Sequence, residues 1–339
     1  MSARLRSFGD SPAPADEPEI STLARALNPK ELSEQLKLVS HSQWRDALRE
    51  VRIQILKQRS SKRCTFKVAL QADLIGKVYA KDRQDVYQVM EAISRAGFGS
   101  DAEFSIPQPI AYLASLRLLL QEEVEGTPAK SVFTADQERS RASAAERCGR
   151  WLARLHALAP PPGQVLDVEG VLRRSERKAR LVSEKGGDLA AKSGELVDRL
   201  KAAAPSLGKI PMCPGHGDYA YHQVIFAGRR TVVCDWDAYD IADPTRDVAR
   251  FIVHLERLAA RCLGSIRKLD GAAQVFLKAY VASGGHAQVS AHLPFYKAAD
   301  YLEEAEWELR TKRHARWRTW AEVMLNEGLR SLDPVRIKR

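Results

Sequence analysis

The stretch from Pro214 to Phe251, PGHGDYAYHQVIFAGRRTVVCDWDAYDIADPTRDVARF, constrains this chain more than any other. It sets a His-Gly-Asp turn before two short apolar runs separated by Ala-Gly-Arg-Arg. That pattern reads as a hairpin. An Asp-Trp-Asp turn follows, and Asp243-Pro244-x-x-Asp247 then opens a helix. Two acidic turns joined by a hairpin allow one scaffold to hold a general base and a metal-binding carboxylate side by side.

The chain must bury these turns in something sizeable. Its 339 residues suit two lobes rather than one small core. An apolar share of 45% and a charged share of 28% are those of an ordinary globular protein. No apolar run approaches the roughly 20 residues of a membrane span. The start, MSARLRSFGDSPAPADEPE, has no apolar signal core, so a cytoplasmic protein with a disordered leader is expected. Cys64, Cys148, Cys213, Cys234 and Cys262 are scattered without a Cys-x-x-Cys pair and read as buried free thiols. The net charge of +10 suits a polyanionic ligand or a nucleic acid. No basic-aromatic platform accompanies it, so nucleic acid is not the expected partner.

Periodicity organises the N-terminal third. Asn28-Pro29 reads as a helix cap with proline at the first helical position, and a second helix is expected through Trp44 and Leu48. From Val51 to Lys81 the apolar period becomes two, giving a hairpin and a third strand, GKVYAK. Arg83 to Ala96 has helical spacing, and Ile110 to Val124 returns to strand before Gly126. Beyond that point helices dominate: Ala144–Ala159, a basic one over Val168–Val182, and others over Val248–Ala260, Ser265–Ser283 and His292–Leu332.

The β-β-β-α-β-β order places Lys81 at the end of the third strand and Glu91 on the next helix. A strand lysine neutralises nucleotide phosphates when a helix glutamate holds it. Asp218 is the candidate base or hydroxyl-orienting group, on a turn that Gly217 permits. Asp235 follows an apolar strand and is a candidate magnesium ligand. Asp237 shares the metal or orients the acceptor. Asp247, at a helix start, can cap free backbone N–H groups.

These residues together resemble the aminoglycoside phosphotransferase and choline kinase family. The resemblance runs from about Val51 to Phe251 and is most specific over 216–251. It implies an α+β, two-lobed, protein-kinase-like fold, with a small N-terminal antiparallel-sheet lobe and a larger, mainly helical C-terminal lobe. The expected division is a leader over 1–20, a nucleotide-binding lobe over 21–123 and a catalytic and substrate-binding lobe over 124–339. The resemblance further implies an enzyme that uses ATP and Mg2+ to phosphorylate a small-molecule hydroxyl. It makes Asp218 catalytic together with His216, whose part is more a brace than a base. Asp235 becomes the principal metal ligand and Asp247 the brace of the catalytic turn. Lys81 and Glu91 meet the phosphates, and backbone groups around Glu122, Glu123 and Val124 meet adenine. His156, which ends WLARLH, is a packing or capping residue.

Three departures stand out. Gln223 occupies the position where the family has a metal-binding asparagine, so its amide oxygen lies one methylene further out. The first hairpin tip, Gln58–Arg63, has no glycine and offers serine N–H groups and basic side chains to phosphates instead. Tyr79 shares a strand face with Lys81 and narrows the adenine pocket or stacks on the base. Asp300, Glu304 and Trp307, in an acidic run on one helix, either line the acceptor site or form a solvated face balanced by Arg310–Arg318. A nucleotide-binding module with weak or no turnover, and a kinase of a macromolecule using the basic helix, are the alternatives.

Overall fold

The computed structural model describes residues 20–39, 51–59, 62–69, 73–161, 163–209, 211–312 and 315–333. The expected leader, the helix expected through Trp44 and the Ser60-Ser61 tip fall outside them. The chain divides into two compact units, Met1–Glu91 with Pro107–Glu123, and Ala92–Ile106 with Val124–Arg339.

The first unit begins with α1 (Leu23–Ala26) and α2 (Pro29–Val39). Asn28 caps α2 as its sequence suggests: Oδ1 accepts from the N–H groups of Lys30 at 3.0 Å and Glu31 at 3.4 Å. Strands β1 (Arg52–Arg59), β2 (Arg63–Ala69) and β3 (Leu74–Tyr79) lead into α3 (Gln84–Ile93). After the short β4 (Phe104–Ser105), which belongs to the second unit, come β5 (Pro109–Leu113) and β6 (Leu118–Glu122). The sheet order is β1-β2-β3-β6-β5, antiparallel throughout.

Alternation decides which face of this sheet is core. Cys64, Phe66 and Val68 pair with Val78, Gly76 and Leu74, and all three of those apolar partners on β2 are fully buried. Leu118 and Leu120 continue the layer, and Ile20, Leu32 and Leu36 join the same cluster from the helical side. Gly76 is required here, because a Cβ would stand 2.6 Å from the Phe66 ring. Burying that ring contributes about 1.5–3 kcal/mol. Thr65, Lys77 and Leu119 are register partners and so lie on the opposite face.

The second unit adds β7 (Thr127–Pro128), α4 (Ala129–Thr134), α5 (Glu138–Leu158), β8 (Val165–Leu166), α6 (Val168–Ser183) and α7 (Gly187–Ala203). It continues with β9 (Cys213–Gly215), β10 (Val224–Ala227), β11 (Arg230–Val233) and β12 (Asp240–Ala242). Four helices close it: α8 (Thr245–Cys262), α9 (Asp270–Ala282), α10 (Val289–Thr311) and α11 (Trp317–Ser331). Leu196, Leu200, Val253, Tyr301 and Leu325 form one core through α7, α8, α10 and α11. An aromatic column forms another: Trp151 stacks on Tyr219 at 5.6 Å, Tyr219 on Phe251 at 5.3 Å, and Phe251 on Phe276 at 4.2 Å.

Several expectations change. The helix expected over His292–Leu332 is two, because Lys312 adopts a left-handed conformation (φ 45°) after α10 and lets α11 fold back onto it. The helix expected to reach Ala96 stops at Ile93 and widens into a single π turn, Ser94–Phe98, containing Gly97 at φ 105°. Cys64, Cys148 and Cys213 are buried as expected, but Cys234 is half-buried and Cys262 is exposed at the end of α8. No helix among the described residues is long and apolar enough to cross a membrane.

Candidate active site

The His216–Asp218 turn leaves β9 in a conformation that only glycine allows. Gly217 has φ +78°, and a Cβ there would lie 2.1 Å from the Ala238 carbonyl oxygen. Asp247 fixes the turn from below. Its Oδ2 accepts the His216 N–H at 2.6 Å, and its Oδ1 accepts the Gly217 N–H at 2.9 Å. Burial opposes ionisation of Asp247, but the hydrogen bond from His156 and the nearby Arg246 outweigh it, and the carboxyl stays well below the ordinary range. His156 lies 3.4 Å from Asp247 through Nε2 and 2.8 Å from the Tyr280 hydroxyl through Nδ1. It is therefore a packing residue with a defined task. Asp247 does not cap its own helix: that N–H bond, from Thr245, goes to Asp243 at 2.7 Å.

His216 joins the two acidic turns. Its Nδ1 accepts the Asp218 N–H at 3.2 Å, which puts the proton on Nε2, donating to the Cys234 carbonyl at 2.9 Å. With both ring nitrogens engaged by backbone, His216 has no lone pair for a reacting proton. This geometry suits the bracing part expected of His216 and not that of a base. From the other side, the Cys234 N–H donates to the Gln223 carbonyl at 2.8 Å. Asp235 then takes a left-handed conformation, φ 70° and ψ 69°. That geometry costs a non-glycine residue about 1–2 kcal/mol. It is held by the buried Trp236, whose Nε1 donates to Val233 at 3.1 Å. Asp235 and Asp237 are both half-buried.

Asp218 is engaged through both carboxylate oxygens. Arg250 Nε donates to Oδ1 at 2.6 Å and Gln223 Nε2 to Oδ2 at 3.1 Å. Burial raises the Asp218 pKa and the charge of Arg250 leads the opposing pull, with a net lowering. Arg250 also donates through Nη1 to Asp300 Oδ1 at 2.5 Å, so one guanidinium ties the candidate base to α10. Burial nonetheless pushes the Asp300 carboxyl up to about 6.

The acidic run on α10 faces protein. Glu304 lies 3.2 Å from His254 and 2.9 Å from Arg257, while Glu308 pairs with Arg257 and Arg261. Trp307 packs under the Arg257 guanidinium, 4.3 Å from its ring centroid. Arg250, His254, Arg257 and Arg261 form a helical stripe on α8 that meets Asp300, Glu304 and Glu308. The solvated-face alternative is corrected: Glu304 and Glu308 are buried and paired with α8, and Trp307 is half-buried. Asp300 alone of the expected acceptor residues touches the Asp218 network.

Lys81 is corrected too. What changes is its placement: strand β3 closes at Tyr79, and Lys81 lies beyond it with its side chain exposed. The strand lysine is Lys77, 6% exposed and paired with Thr65 and Leu119. Glu91 lies on α3, half-buried, and accepts from the Tyr87 hydroxyl at 3.1 Å. Glu122 accepts the Gln108 N–H at 3.1 Å, and Glu123 pairs with Lys67 at 2.7 Å. The boundary between the two units falls between Glu123 and Val124. Sequence reasoning missed Lys77 and Arg250. The first sits in the apolar-flanked GKVY; the second lies one helical turn after Asp247.

An antiparallel sheet unit carrying a buried strand lysine and a helical unit with two braced acidic turns are the parts of a protein-kinase-like α+β fold. Residues 69–292 match the model of the phosphotransferase enzyme family, and the chain belongs to that family. Similar solved structures include a choline/ethanolamine kinase family protein from Mesorhizobium loti, 14% identical over 89% of this chain and 94% of that one, with a TM-score of 0.59. The choline kinase LicA from Streptococcus pneumoniae is 13% identical over 89% and 98%, with a TM-score of 0.62. An ADP-bound aminoglycoside phosphotransferase, APH(2'')-Ib, is 15% identical over 89% and 96%, with a TM-score of 0.57. No curated protein matches the chain.

Proposed function

We propose that the protein is an ATP- and Mg2+-dependent kinase that transfers a phosphoryl group to a hydroxyl of a small molecule, in the cytoplasm where ATP is available. The observation that carries the reading is the bracing of Asp218: its turn is pinned by Asp247 and tied through His216 to the turn that holds Asp235.

The donor set fits magnesium. Asp235 and Asp237 offer hard carboxylate oxygens, and Gln223, whose amide nitrogen is engaged by Asp218, offers its amide oxygen. When bound, the metal supplies charge neutralisation for the transferring phosphoryl group. Asp218, held ionised by Arg250, accepts a hydrogen bond from the incoming hydroxyl and aligns it for in-line attack. Its lowered pKa makes it a weak base, so it orients first and takes the proton late. Lys77, in place of Lys81, neutralises phosphate oxygens with Glu91 as its partner. Backbone groups at Glu122–Val124 meet the base of the nucleotide.

One observation favours a second reading, a nucleotide-binding module of low turnover: both oxygens of Asp218 are already engaged. A thermal shift with ATP and magnesium, followed by transfer to a panel of hydroxyl compounds, separates the two. Absence of any nucleotide shift sinks both. Substitution Asp218→Asn is expected to abolish transfer while nucleotide binding persists, and a variant that turns over normally refutes the assignment.

A further inference from the structure

The basic helix α6 finds its use in a pocket beside Asp218. Arg174 and Lys178 of α6, Arg246 of α8, and Tyr296, Asp300 and Glu303 of α10 line a cavity of about 50 Å³. At roughly 10–15 Å³ per water position, that is about three to five water-sized places, room for one functional group. The cavity adjoins the catalytic turn twice. A Cβ on Gly217 would stand 3.0 Å from Arg246 Nη2, and Asp300 shares Arg250 with Asp218.

The charges sort clearly. Arg246 gives both Nη atoms to Asp240, Lys178 pairs with Glu306 at 2.7 Å, and Asp300 pairs with Arg250. Among the described residues Arg174 makes no ion pair, and partial burial followed by the like charge of Arg246 pulls its pKa down. Glu303 likewise makes none, and its charge, with that of Asp240, partly offsets the pull of Arg246 on Arg174. Two buried polar atoms of the lining lack a hydrogen-bond partner in the protein: the donor Arg246 Nε and the acceptor Asp300 Oδ2. Asp300 itself is 9% exposed. An unmet guanidinium N–H close to a second, unpaired guanidinium calls for an anionic oxygen. The unmet carboxylate oxygen calls for a hydroxyl. An amine could serve Asp300, but as a donor it would leave the Arg246 Nε N–H unmet.

We propose that this pocket seats an oxyanion group, phosphate or carboxylate, of the acceptor, while Asp300 accepts a hydrogen bond from one of the acceptor's hydroxyls. The inference rests on the kinase reading for the word acceptor, and its test separates the two. Calorimetry with glucose 6-phosphate, gluconate and glucosamine, each in the presence of saturating ADP and magnesium, compares the wild type with Arg174→Gln. At least one of the anions is expected to bind tenfold or more tightly than glucosamine, and R174Q is expected to remove that preference. The tighter of the two anions identifies phosphate or carboxylate. Tighter glucosamine binding, no binding of either anion, or a preference intact in R174Q overturns the pocket. The wild-type thermal shift with ADP and magnesium reads the kinase proposal independently: anion binding without that shift keeps the pocket and removes the kinase.

Discussion

Arg250 lies 2.6 Å from Asp218 and 2.5 Å from Asp300, so one side chain on α8 sets the geometry of the candidate base and ties it to α10. The fork of a guanidinium bonds both partners at once, which an ammonium cannot do in the same geometry. Arg250→Lys is therefore expected to lower kcat about tenfold to a hundredfold through misplacement of Asp218. Weakening the pull of Arg250 also raises the Asp218 pKa, so the acid limb of kcat/KM moves to higher pH. A pH-rate profile superimposable on the wild type would refute this role.

Lys77 and Lys81 give opposite expectations. Lys77→Met keeps most of the buried side-chain volume but removes the charge, and transfer is expected to fall about a hundredfold or more, as for other preorganised charge contacts. Lys81→Ala, at an exposed position beyond the strand, is expected to leave kcat/KM within about twofold of wild type. Steady-state kinetics of the two variants decide between them.

Asp247 links the site to acid stability. Its folded pKa lies below the ordinary value of 3.8, so its contribution is complete above that value and is lost as pH falls through the lower folded value. Asp247→Asn is expected to cost about 1–3 kcal/mol at neutral pH, because an amide cannot accept both turn N–H groups as the carboxylate does. The deficit should shrink as the wild type itself is acidified below pH 3.8. Denaturant titrations at neutral and acidic pH measure it, and a deficit independent of pH would contradict the linkage.

Gln223→Ala removes the amide oxygen proposed as a metal ligand and a donor to Asp218. The magnesium concentration for half-maximal rate is expected to rise, with kcat down about tenfold, while the nucleotide thermal shift remains. An unchanged magnesium dependence would take Gln223 out of the metal site.

Much of the site was legible along the chain because its parts are local. A glycine between His216 and Asp218, an apolar strand leading to Asp235 and a helix start at Asp243-Pro244 are short-range signals, and each marks the element it opens or closes. Gly217 could be read as a tight turn, although not that Ala238 fills the space of its missing Cβ. Period-two alternation likewise gave the sheet of the first unit, but not where β3 stops. That end depends on backbone bonds from Tyr79 to Arg117 and from Ala80 to Lys62, residues that lie just before β6 and β2. Lys77 and Lys81, which flank the same Val78-Tyr79-Ala80 run, therefore looked equivalent in one dimension.

Sequence alone determined the family resemblance, the two acidic turns and the order of elements, because those rest on residue identity and local period. Tertiary structure alone decided how the charges are used. The acids on α10 and the bases on α8 are each helical stripes that solvent could satisfy, and only packing brings them together. Once buried, an ion must be paired. That requirement turns Glu304 and Glu308 into structural partners, leaves Arg174 and Arg246 at a cavity, and makes Arg250 the link to Asp218.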